Sequence, residues 1–61
     1  MTYGELKRVL KKNGCYFVRN GGSHEIWFSP ITNAKFPVGR HNTEEVPPGT
    51  LQSIKKDAGL K

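Results

Sequence analysis

Near the N-terminus the apolar residues fall at Tyr3, Leu6, Val9 and Leu10, the three- and four-residue spacing that gathers them on one side of an α-helix. Thr2 with Glu5 three residues later is a capping-box pattern at the start, and Gly14 supplies a stop. The period then changes. CYFVRN (15–20) is rich in β-branched and aromatic residues and predicts a strand. Gly21 and Gly22 mark a turn, and SHEIWFS (23–29) alternates as a second strand, with His24, Ile26 and Phe28 on one face and Glu25 and Trp27 on the other. Turn chemistry at 30–33 separates it from a third strand, AKFPV (34–38), which should lie at an edge or end at Pro37. A loop leads to Pro47 and Pro48, typical of a helix start. Leu51, Ile54 and Ala58 keep helical spacing, Gly59 closes that helix, and Leu60 is placed to pack back on it.

The order is α-β-β-β-α, an α+β domain covering 1–61. Three strands joined by short links predict an antiparallel meander, with both helices covering one face. A chain of this size buries only about 60% of the surface its unfolded form exposes, so a thin core is all it can build. Leu6, Leu10, Leu51 and Ile54 are expected among the most buried side chains. Lys7, Arg8, Lys11 and Lys12 are expected on the solvated side of the first helix, as like-charge pairs at i, i+4.

Ten Lys and Arg against five Asp and Glu leave a net charge of +5 on 61 residues. Charge this dense favours a polyanionic partner such as nucleic acid, although charge alone leaves simple solubility open. No basic helix has the broad aromatic face that membrane-surface binding needs, and no stretch is apolar enough to span a bilayer. One cysteine allows no intramolecular disulfide, and the N-terminus has no apolar signal region, so a cytoplasmic setting is expected. The initiator Met1 suggests a complete small reading frame.

Most chemistries lack their residues. Cys15 follows a helix stop and opens an apolar strand, which reads as a small buried hydrophobe rather than a nucleophile. The two histidines and scattered acids show no metal-ligand spacing, and GGS lacks the downstream residues of a phosphate-binding P-loop. No nucleotide or other small-molecule cofactor is indicated. His24 remains, at a glycine-rich tip in a basic protein with aromatics nearby. A histidine beside a turn has an ordinary structural explanation, but glycines there also let a ligand approach closely. His41 lies in a polar loop and reads as solvated.

GGSHEIWFSP, with FPVGRHNTEEVPPGTLQSIKKDAGL following, resembles the HicA toxin family of toxin–antitoxin systems. The matching residues are Gly22-Ser23-His24, Phe36-Pro37-Val38 with His41, and Gly49-Thr50-Leu51 through Ile54, Ala58, Gly59 and Leu60. The resemblance runs from about Tyr3 to Leu60. It implies a fold like that of double-stranded RNA-binding domains, metal-independent endoribonucleolytic cleavage of mRNA with His24 as the essential group, and a cognate HicB-like antitoxin. Cys15 stands where many members have a larger aromatic. Gly22 and Ser23 at the tip, with Arg19, Lys35 and Arg40 around it, are the candidate RNA contacts. The alternative is a non-catalytic RNA-binding module on the same fold, which needs no imidazole at position 24. A DNA-binding reading has less support, because no helix-turn-helix spacing is present.

Overall fold

The computed structural model describes residues 1–60. Helix α1 (Tyr3–Lys12) is followed by strands β1 (Tyr16–Gly21), β2 (His24–Ser29) and β3 (Ala34–Gly39), then helix α2 (Pro48–Ala58). The strands form one antiparallel sheet in the order β1-β2-β3. The expected α-β-β-β-α order and antiparallel meander are both present. Among the described residues no helix is long and apolar enough to cross a membrane.

Local chemistry explains the helix ends. Thr2 and Glu5 form the reciprocal capping box: the Glu5 N–H donates to Thr2 Oγ1, and the Thr2 N–H donates to Glu5 Oε1 at 2.8 Å. The loop before α2 satisfies two more of the free donors, through Glu44 and Asn42 carbonyls that accept from the Tyr3 and Gly4 N–H groups. At the other end the Gly14 N–H reaches the Lys11 carbonyl and the Cys15 N–H that of Leu10, the paired bonds of a Schellman motif. Helix α2 closes with Gly59 at φ 77°. Leu60 then packs against the core, as the sequence pattern anticipates.

Both helices cover the same side of the sheet. Leu6 and Leu10 of α1 and Ile54 and Ala58 of α2 share one buried cluster with Trp27, Phe36 and Val38 of the sheet. The Ser29 hydroxyl, fully buried, donates to the Ala58 carbonyl at 2.6 Å and ties β2 to the end of α2. Two expectations about burial need correction. Leu51 is only partly buried, because it sits in the first turn of α2 and packs at the rim of the cluster rather than within it. Lys7 is 7% exposed and does not join Arg8, Lys11 and Lys12 on the solvated side. It lies four residues after Tyr3 and three before Leu10, so it shares their stripe.

Burying Lys7 is tolerable because its charge is matched. The Nζ lies 3.1 Å from Glu25 Oε1 and donates to Asn42 Oδ1 at 2.6 Å, and Trp27 Nε1 donates to the same Glu25 oxygen at 3.0 Å. Burial pushes the Glu25 carboxyl upward, but the hydrogen bonds from Trp27 and Lys7, with the charges of Lys7 and Arg40, outweigh it and leave the group below its ordinary range. A carboxyl depressed in the folded state contributes stability that is full above its unfolded pKa and lost as pH falls through the folded value. Acid titration of stability should therefore show a loss below about pH 4, and Glu25→Gln should flatten that limb while lowering stability at neutral pH. An unchanged acid limb in Glu25→Gln would show that other carboxyls govern it.

Candidate functional site

Alternation along β2 decides what the site contains. Glu25, Trp27 and Ser29 face the helices, so His24, Ile26 and Phe28 face the uncovered side. Cross-strand partners share a face, which arranges the open side in three rows. One row is Tyr16, Phe28 and Lys35; the next is Arg19, Ile26 and Pro37; the last is Gly21, His24 and Gly39. In β1 the register slips between Phe17 and Arg19, leaving Val18 without a partner. That β-bulge resets the alternation. Without it Arg19 would share Phe17's face and turn away from His24.

The last row holds the imidazole. His24 is exposed, and its cross-strand neighbours on both sides are glycines. The space beside Gly39 is already taken: an added Cβ would come within 2.7 Å of the Tyr3 ring. At Gly21 it would come within 2.9 Å of Ile26. The hairpin connection is Gly22-Ser23, not Gly21-Gly22 as the sequence suggests, because Gly21 still pairs with His24. Gly22 has φ 71° and Ser23 is not in the positive region, the pattern of a two-residue type II′ turn with glycine first.

That turn brings Ser23 Oγ to 3.2 Å from His24 Nδ1. When the hydroxyl accepts from Nδ1–H, the Nε2 lone pair is left to act as a base. Arg40, just past β3, donates from Nη1 to the Gly22 carbonyl at 3.1 Å and so sits against the tip. The structure thus gathers Gly22, Ser23, His24 and Arg40. Arg19 lies one row from His24. Lys35 lies two rows away, about 13 Å along the strand direction, at the far end of the same face. His41 is exposed in the loop, where its carbonyl accepts from the Glu44 N–H. Cys15 is buried at 3% exposure against the core, as expected of a small hydrophobe.

Sequence reasoning finds His24 but not its setting. Gly21 and Gly39 matter as cross-strand neighbours, and the only local sign of them is a glycine at each strand end. The hydrogen bond from the Arg40 side chain to the Gly22 carbonyl joins residues 18 apart in sequence and leaves no local sign.

Comparison with known proteins adds one relationship. A family described as HicA toxin of bacterial toxin-antitoxin matches residues 3–60. No curated protein and no solved structure gives a match. The family match takes in both helices, all three strands and the hairpin tip, so the chain belongs to the HicA toxin family, the toxin half of systems in which an antitoxin is the partner.

Proposed function

We propose that this toxin is an endoribonuclease that cleaves mRNA, with His24 as the general acid–base group and without a metal in the catalytic step. The observation that carries the reading is the imidazole itself: exposed, flanked by glycines, and held through Nδ1 by Ser23 Oγ at 3.2 Å. RNA brings its own nucleophile, the 2′-hydroxyl. Neutral His24 takes that proton through Nε2 as the 2′-oxygen attacks the adjacent phosphorus. The bond from phosphorus to the 5′-oxygen breaks, and the 5′-oxygen takes up a proton, returned by the His24 imidazolium or supplied by water, leaving a 2′,3′-cyclic phosphate on one fragment and a 5′-hydroxyl on the other. Arg40 keeps most of its five N–H donors free after bonding Gly22, and its charge stabilises the developing oxyanion. Cleavage of messages in turn stops translation.

The antitoxin of this reading is HicB-like, presents an acidic surface to a chain of net charge +5, and neutralises by covering the His24 face. The direct test uses an RNA with one 2′-deoxy nucleotide on the 5′ side of the preferred cleavage bond. That bond should stay intact, neighbouring bonds should still be cut, and the natural RNA should yield cyclic-phosphate ends, all unchanged by a metal chelator. Cleavage at the 2′-deoxy position would exclude the mechanism. Binding without any cleavage would favour the non-catalytic RNA-binding module.

A further inference from the structure

The uncovered face of an antiparallel sheet is ordinarily polar. This one is not. Tyr16 is 54% exposed, and its ring lies 5.5 Å, centroid to centroid, from the half-buried Phe28 across the strand pair, tilted by 43°. Ile26 and Pro37 continue the apolar surface toward His24. Among the described residues, the charged side chains that the three strands place on this face are Arg19 and Lys35, both cationic. The one carboxylate on the strands, Glu25, faces the helices and is held by Lys7. Aromatic faces ringed by cations and free of acid suit a polyanion that also carries flat π surfaces.

We infer that this face is a stacking platform for single-stranded RNA: bases lie on Tyr16 and Phe28, and the backbone runs past Arg19 and Lys35 toward His24. The inference rests on the ribonuclease reading above and names the form of RNA that the site takes. Base–aromatic stacking tolerates any sequence, because every base has a π face, whereas a duplex keeps those faces hidden against one another. Geometry adds a reach. Tyr16 and Phe28 lie two rows from His24, and a stacked strand rises ~3.4 Å per nucleotide, so a base on the aromatic pair lies no more than about four nucleotides from the scissile phosphate.

The test measures binding apart from cleavage, with a labelled 2′-O-methyl oligoribonucleotide that offers no 2′-hydroxyl. Tyr16→Ala and Phe28→Leu should each weaken binding by about 5- to 150-fold. Tyr16→Phe should retain it, and affinity for a duplex of the same sequence should not change. The salt dependence separates the two kinds of contact. Tyr16→Ala should leave the log–log slope as it is, while Arg19→Ala and Lys35→Ala should each lower it by about 0.7. Tyr16 is exposed and outside the core, so its variant should fold, and circular dichroism checks that. A folded Tyr16→Ala protein with wild-type affinity overturns the platform. So does a loss confined to antitoxin binding, which would make this an antitoxin surface. If His24→Ala still cleaves while Tyr16→Ala loses affinity, the catalytic reading fails and the platform stands.

Discussion

His24→Ala should cut RNA at least ~10²-fold more slowly than the wild type and should no longer arrest growth, the lower end of what removing a general acid or base costs. The variant should still fold, because the exposed side chain packs against no core residue and its row neighbours are glycines. It should still bind the antitoxin, which separates loss of chemistry from loss of structure. His41→Ala, in the loop, should be far milder. Ser23→Ala should fall between them, since the imidazole would remain but lose its hydrogen-bond partner at Nδ1. Single-turnover cleavage of one defined RNA measures all three. A folded His24→Ala protein that cleaves at the wild-type rate would remove the imidazole from the mechanism.

Leu10→Ala should remove a large part of the fold's stability. A leucine with no exposed surface, packed among both helices and the sheet, loses about 2–5 kcal/mol when truncated, part from transfer and part from the cavity left behind. A 61-residue domain has a total stability of only roughly 3–9 kcal/mol, so one such change consumes a large share of it, from about a fifth to the whole. The urea midpoint should fall toward zero for Leu10→Ala and much less for the partly buried Leu51→Ala. Equal losses at the two positions would mean that the first turn of α2 is packed more tightly than the burial pattern indicates. Saturating antitoxin should restore part of the loss, because a partner that binds only the folded toxin stabilises it.

The elements were legible because their signals are local. The capping box of Thr2 and Glu5, the alternation of β2 and the glycine after α2 are each read within a few residues, and each element is where they place it. Lys7 was misread because a charged side chain on an apolar stripe looks like the edge of a solvated face. Only the distant Glu25 and Asn42 make its burial tolerable. The hairpin tip slipped by one residue because either Gly21-Gly22 or Gly22-Ser23 can make a two-residue turn, and strand pairing chooses between them. His24 was legible from its glycine-rich approach. Its row was not, since cross-strand neighbours and the bulge at Val18 depend on register, which no single segment specifies.

A sheet of three strands has two outer edges, each a row of backbone groups onto which another chain can add a strand. Edge β3 carries Pro37, which has no N–H to offer. Edge β1 exposes Tyr16, Phe17 and Val18 in succession, an aromatic and β-branched run of the kind that seeds cross-β stacking. The unpaired Val18 breaks the regular spacing of that edge and bends it, and the charge of Arg19 follows at once. The one-residue irregularity that turns Arg19 toward His24 therefore also makes β1 a poor template for fibre growth.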